Sequence, residues 1–319
     1  DETTVQAACR LSGSLNGDIL AVQGPPGTGK TYTGGEMICE LIRQGKKVGV
    51  TAVSHRVILN LREGALKADN GKDVNIRCFH KSAGDYMGEH AIQFTSSYPQ
   101  IRGALDEGEA NLVGGTAWQW SREDFAESVD VLIVDEAGQM SLANVLATAQ
   151  AANSLVLLGD PQQLEQPIQS SHPEGSDVSA LHHLLDGADT IPDDLGLFLG
   201  ITWRLHPEIA QFTSEAYYAS RLEALPGLER QEIVSDGQLA GSGLRFIPVI
   251  HTGNQARSLE EVDTIEQIVK KLLTGNVKWC DKEGEEHIVG ENEVLIVAPY
   301  NAQVSALAER MPHLAHRIG

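Results

Sequence analysis

Short apolar runs recur along the chain, each closed by a cluster of turn-forming residues. The stretches 19–22, 47–52, 129–134, 154–158, 244–250 and 294–298 are rich in Leu, Ile and Val. Each is too short for a helix, which predicts strands buried on both faces. Between them the hydrophobic period lengthens. Residues 31–43 read as a helix, with Gly45 where a terminator belongs. Residues 262–273 form another, placing Val262, Ile265, Ile268, Val269 and Leu272 toward one side. Strands that alternate with helices predict a doubly wound α/β fold with mostly parallel sheets. The segment "ANLVGGTAW" predicts one more strand ending at Gly114-Gly115-Thr116, within an irregular Gly-rich insertion at about 62–122. The stretch "GADTIPDD" at 187–194 reads as a linker, so two units are expected, 1–190 and 191–319.

Composition narrows the setting. With 319 residues and 41% hydrophobic content the chain has enough material for two cores. Cys9, Cys39, Cys78 and Cys280 lie far apart without a CxxC pair, which argues against a disulfide frame or a zinc site and for a reducing, cytoplasmic location. No apolar run approaches the ~18 residues of a membrane span, and no basic-then-apolar segment opens the sequence. The net charge of -20 is a poor match for a broad basic face. A nucleic-acid contact here has to rest on a local groove and on neutral donors.

Chemistry enters directly after the first strand. Gly24-Pro25-Pro26-Gly27-Thr28-Gly29-Lys30-Thr31 fits GxxxxGK[ST] with a strand before it and a helix after. Glycines let such a loop curl until several N–H groups face one anion, and the helix adds the positive end of its dipole. Lys30 is expected to reach the β and γ phosphates of ATP and the Thr31 hydroxyl to ligate Mg²⁺. A neighbouring strand must supply a carboxylate for the metal. Val131-Leu132-Ile133-Val134-Asp135-Glu136 supplies Asp135 for that task, and Glu136 beside it can polarise a water. "LVLLGDPQQL" ends a further strand at the same rim, so Asp160 and Gln163 are expected to project toward the nucleotide, with the alternative of a surface turn built on Asp-Pro.

Taken together these segments resemble the superfamily 1B helicases, the group containing the nonsense-mediated-decay RNA helicase and the nuclease-linked DNA replication helicase. "GPPGTGKT" is similar to motif I, "DEAGQ" to motif II, "LLGDPQQL" to motif III, "WRLHPEI" to motif IV and "VLIVAPYNAQV" to the second-domain strand usually written ITPYNAQ. The order matches and the motifs span Gln6 to about Val304. The resemblance implies two RecA-like P-loop NTPase domains, the second incomplete. It gives Gln6 the role of reading adenine, Trp203 that of stacking on the base, and Arg204 that of an arginine finger arriving as the domains close. Gly24, Pro25, Gly27, Thr28 and Gly29 complete the phosphate cradle. "TAVSHRVILNL" resembles motif Ia, with Val53 in place of Pro and His55 in place of Asn. Ser54 and His55 thereby become candidates for backbone contacts to nucleic acid, although Ser54 is equally a good helix cap. Thr116 and the group Pro299, Tyr300 and Asn301 are further candidates. The family pattern continues into an Asp-x-Phe-Gln-Gly core and a second arginine motif that this sequence does not carry.

The function implied is that of an ATP-dependent helicase or translocase. It would act on single-stranded nucleic acid, DNA favoured over RNA, moving 5′ to 3′ with ATP hydrolysed between two RecA-like domains. These residues alone are expected to be weakly active or inactive, and an associated or fused nuclease domain is a compatible partner. Two other readings stay open at this point. One is a P-loop ATPase or nucleotide kinase without nucleic acid. The other is an ATP-gated nucleic-acid-binding module that does not unwind.

Overall fold

A computed structural model describes residues 2–69, 74–82, 92–164 and 178–319. Within the insertion expected at about 62–122, residues 70–73 and 83–91 therefore lie outside the described part. The chain divides into two compact units, Asp1–Arg204 with Thr213–Glu223, and Leu205–Phe212 with Ala224–Gly319.

In the first unit the elements run α1 (Thr4–Ser14), β1 (Ile19–Gln23), α2 (Lys30–Arg43), β2 (Val48–Thr51), α3 (His55–Asp69), β3 (Cys78–Lys81), β4 (Ile92–Thr95), α4 (Tyr98–Asp106), β5 (Leu112–Gly114), α5 (Ala117–Trp120), β6 (Val129–Asp135), α6 (Leu142–Ala149), β7 (Ala152–Gly159), α7 (Ala180–Leu185), β8 (Gly196–Phe198) and β9 (Ile201–Thr202). One eight-stranded sheet has the order β4-β3-β5-β2-β6-β7-β1-β8. Every pairing in it is parallel. This is the α/β class that the strand–helix alternation predicts.

The unbroken apolar runs follow from burial on both faces. Leu20, Val22, Val131 and Ile133 pack with α2 and α3 on one side, while Ala21, Leu132 and Val134 pack with α4, α5 and α6 on the other. Each buried Leu or Ile contributes roughly 1.5–3 kcal/mol, so a register slip by one residue would gain nothing on either face and lose the tip geometry. Because all the strands are parallel, their carboxyl ends share one rim, and the loops carrying the motifs leave from there.

The linker expected at 187–194 does not end the first unit. Gly196–Phe198 adds to the sheet edge, pairing Ala21↔Gly196, Val22↔Leu197 and Gln23↔Phe198. The Gln23 side chain receives the N–H of Ile191 at 2.7 Å, which fastens the preceding turn to β1. Short edge strands of this length carry too little hydrophobic pattern to be read from sequence.

In the remaining part α8 (Pro207–Tyr217) is followed by β10 (Glu223–Ala224), which pairs with β9. The second unit then contains β11 (Glu232–Val234), α9 (Leu259–Thr274), β12 (Lys278–Cys280), β13 (Glu286–Ile288) and α10 (Asn301–Arg310). Helix α9 forms where the 3.6-residue period places it, capped by Ser258 on the N–H of Glu261. The strands differ from expectation. The sheet here is three-stranded and antiparallel, β11-β12-β13. Residues 244–250 form no ladder among the described residues, and Leu244, Phe246 and Ile250 stay exposed. Residues 294–298 reach only an isolated parallel bridge, Ile296↔Ile318. A parallel strand needs neighbours on its flanks for its hydrogen bonds, and an apolar run does not supply them.

Candidate active site

The phosphate loop is built as the sequence requires. Gly29 caps α2 with φ 85°, and Gly27 has φ 77°, both left-handed and unfavourable for a residue with a side chain. The Thr28 hydroxyl donates to the carbonyl of Pro25 at 2.8 Å, closing the curl, and the N–H of Gly24 donates to Gly159 at 2.8 Å. Lys30 folds over the loop with its ammonium donating to the Gly24 carbonyl at 2.7 Å. Thr31 stands in the exposed first turn of α2.

Asp135 ends β6 and is buried. Burial pushes its carboxyl up to about 7, and the negative charge of Glu136 adds to this, against the N–H of Glu136 and the charge of Lys30. Glu136 holds an unusual backbone, φ 51°, a conformation that costs a non-glycine residue about 1–3 kcal/mol. Three hydrogen bonds impose it. The Glu136 N–H donates to Asp135 Oδ1 at 2.9 Å, that of Ala137 to Leu158 at 2.9 Å, and that of Gln139 to Glu136 at 2.8 Å. The buried Oε2 of Glu136 has no hydrogen-bond partner among the described residues. A carboxyl raised by burial and by the neighbouring negative charge, beside a second carboxylate oxygen left unpaired, is a donor set suited to a hard divalent cation and a reacting water.

The two turns at this rim interlock. A Cβ on Gly138 would lie 2.2 Å from the carbonyl oxygen of Asp160, so "DEAGQ" and "GDPQQ" meet backbone to backbone. Sequence reasoning sends Asp160 toward the nucleotide, and the structure corrects this. Asp160 is 0% exposed and takes the Tyr218 hydroxyl on Oδ2 at 2.7 Å and the Gln162 N–H on Oδ1 at 3.2 Å. The Gln163 amide nitrogen also donates to Oδ2, at 3.2 Å. Tyr218 lies in a stretch with no motif around it, so nothing in consecutive residues marks its part in the site. Its own proton is held well above the usual phenol range by burial and by the Asp160 charge.

Trp203 and Arg204 belong to the first unit rather than the second. The N–H of Trp203 donates to the Gly27 carbonyl at 2.8 Å, and the Thr202 hydroxyl donates to Pro26 at 3.1 Å. The expectation that Arg204 is carried by the second domain is thereby corrected, because its own backbone is tethered beside the loop through Thr202. The Trp203 ring, 59% exposed, lines a cleft of about 1020 Å³ together with Gln6, Thr28, Tyr32, Leu199 and Ile201. Gln6 thus stands at the same cleft, but its side-chain Oε1 accepts the N–H of Thr3 at 2.9 Å in a capping box that starts α1.

The nucleic-acid candidates fall into separate places. Ser54 and Thr116 follow β2 and β5, which are neighbours through Val50↔Gly114. The Ser54 hydroxyl caps α3 by accepting the N–H of Val57 at 3.3 Å, and the Thr116 side chain makes no cap bond at α5. His55 Nδ1 sits 3.0 Å from Nε2 of the buried His80, and its pKa is lowered by burial and by Lys81. Pro299, Tyr300 and Asn301 are exposed at the start of α10 in the second unit.

A curled loop feeding a helix N-terminus, answered by a paired carboxylate at the next rim of a parallel sheet, defines a P-loop nucleotide-binding protein. The chain belongs to the AAA domain family, which matches residues 5–177 and again 177–317, in the form of a superfamily 1 helicase core. It is similar to the DNA polymerase alpha-associated DNA helicase A of Schizosaccharomyces pombe, at 22% identity over 92% of this chain and 51% of the relative. DNA-binding protein SMUBP-2 of Mesocricetus auratus is 23% identical over 92% of this chain and 35% of its own length. The DNA replication ATP-dependent helicase/nuclease DNA2 of Gallus gallus is 24% identical over 94% and 29% respectively. The chain thus spans about half of the first of these relatives and a smaller share of the others. No helix among the described residues is long and apolar enough to cross a membrane.

Proposed function

We propose that the chain is the ATP-hydrolysing core of a helicase or translocase that acts on single-stranded nucleic acid, DNA in preference to RNA, in the 5′ to 3′ direction. The observation that carries the chemistry is the placing of Lys30, Asp135 and Glu136 at one rim, with Trp203 and Arg204 tied to the same loop. The direction rests on the motif resemblance, and the choice of DNA on that resemblance and on the similarity to a DNA helicase and a DNA replication helicase/nuclease.

Loop N–H groups and Lys30 would hold the β and γ phosphates. The Trp203 ring would cover the base in the cleft that Gln6 also lines. Thr31 and Asp135 would hold Mg²⁺, which neutralises phosphate charge when bound. Glu136 takes the proton of the water whose oxygen bonds to the γ phosphorus. The bond to the bridging oxygen breaks and ADP carries that electron pair away. Gln163 orients this water, and Arg204 places positive charge where negative charge builds on the γ oxygens.

ATP turnover measured with and without matched single-stranded DNA and RNA tests the reading. Stimulation by DNA above RNA, abolished in Lys30→Ala, is the expected result. Turnover indifferent to either strand would leave a P-loop ATPase without nucleic acid, a reading that the net charge of -20 favours. A strand-displacement assay in parallel separates a helicase from an ATP-gated clamp.

A further inference from the structure

The Asp160 carboxylate gathers three donors, and one of them comes from 58 residues further along the chain. That donor, the Tyr218 hydroxyl, is buried, and the tyrosine is held from several directions. Its ring lies 6.1 Å from that of Phe198 in β8. Its N–H donates to Ser214 at 3.0 Å, and its carbonyl accepts from Arg221 at 2.9 Å. The Arg221 guanidinium in turn bonds Thr190, Ile191 and Asp193 and covers the Phe198 ring at 4.9 Å. Tyr218 is therefore a fixed point, and Asp160 is anchored to it.

A buried carboxylate needs donors in any protein, so satisfaction alone would make this a packing device. The arrangement does more because of what shares the oxygen. An ionised carboxylate only accepts hydrogen bonds. The Gln163 side chain must therefore turn its NH₂ end to Asp160 Oδ2, the oxygen that Tyr218 also binds. The amide oxygen is then the end left for a substrate. An acceptor is what a nucleophilic water requires, since it offers its O–H while its oxygen lone pair attacks phosphorus.

We propose that Tyr218 is a positioning residue for ATP hydrolysis. By fixing the Asp160 carboxylate it sets the orientation of the Gln163 amide and so of the attacking water. This rests on the reading of the chain as an ATPase. The group acts through Asp160 and Gln163 and does not touch the substrate. It ties the turn that senses the γ phosphate to the segment after α8, which no nucleotide motif covers.

Tyr218→Phe keeps the ring against Phe198 and removes only the hydroxyl. Steady-state ATP turnover should show kcat lowered about tenfold with KM within about twofold, the pattern of lost positioning with binding intact. Combining it with Gln163→Ala should slow turnover no further than Gln163→Ala alone, because both changes act on one amide. Asp160→Asn, which alters the anchor and leaves the tyrosine side chain in place, should reproduce the same kcat loss. Thermal melting of each variant guards against simple unfolding. An unchanged kcat in folded Tyr218→Phe, or effects that multiply in the double variant, would overturn the positioning role while leaving the ATPase reading intact. Assayed in the full natural protein around these residues, a wild type with no turnover would instead sink the ATPase reading, and the positioning role with it.

Discussion

The backbone N–H of Trp203 donates to the carbonyl of Gly27 across 2.8 Å, joining the aromatic residue of "WRLHP" to the phosphate loop. The ring that would cover the base and the loop that would hold the phosphates are thus parts of one frame. Removing the ring while leaving its backbone should remove stacking alone. Stacking on an aromatic is worth about 1–3 kcal/mol per base, so Trp203→Ala should weaken ATP binding by that amount in a fluorescence titration. Unchanged affinity would return the residue to a packing role.

Glu136 combines a strained backbone with an unpaired carboxylate oxygen. Glu136→Gln keeps the shape and removes the base. Turnover should fall by about 10²–10⁴ while ATP affinity is retained, read by single-turnover hydrolysis beside equilibrium binding. Normal turnover would move the base elsewhere.

The contact between Gly138 and Asp160 leaves no room for a side chain. Gly138→Ala should cost about 1–3 kcal/mol of stability by overpacking, seen as a shift in denaturant midpoint, and should lower turnover by parting the two turns. A variant as stable as the wild type would show that the turns can separate without loss.

His80 is buried in the core near His55, and its pKa is lowered to about 3, by burial first, then by the charge of Arg62 and by His55. In the unfolded chain a histidine titrates near its ordinary value, so below about pH 6.5 the unfolded state binds more protons and folding weakens as pH falls toward 3. The loss from this group should reach about 2 kcal/mol by pH 5. His80→Asn should shrink the stability difference between pH 7 and pH 5 by that amount in urea titrations, and equal losses in both proteins would assign the acid sensitivity to other groups.

Ser54 serves α3 as a cap, so alanine alone is an ambiguous probe. Ser54→Ala should cost about 1 kcal/mol of stability. Ser54→Asp keeps an oxygen for the cap and adds a negative charge facing any phosphate. Oligonucleotide affinity should drop in Ser54→Asp with melting temperature preserved, and unaltered affinity would leave Ser54 a cap only.

The phosphate loop, the Asp135–Glu136 pair and the central strands were legible because their chemistry is local. A glycine-rich turn needs its glycines in sequence, and a strand buried on both faces needs an unbroken apolar run, so both leave marks in consecutive residues. The same local logic misread 244–250 and 294–298, where the apolar runs are present but the flanking strands are not. Strand β8 was missed for the opposite reason, having neighbours but almost no pattern.

Sequence by itself determined the fold class, the curled glycine loop that opens α2 and the carboxylate pair at the end of β6. Only the tertiary structure decided that Asp160 is an anchor held by Tyr218, that Gln6 caps its own helix, and that Trp203 and Arg204 ride with the loop. The physical reason is range. Turn chemistry and hydrophobic period act between near neighbours in the chain, whereas the partner of a buried carboxylate is chosen by where distant segments come to rest.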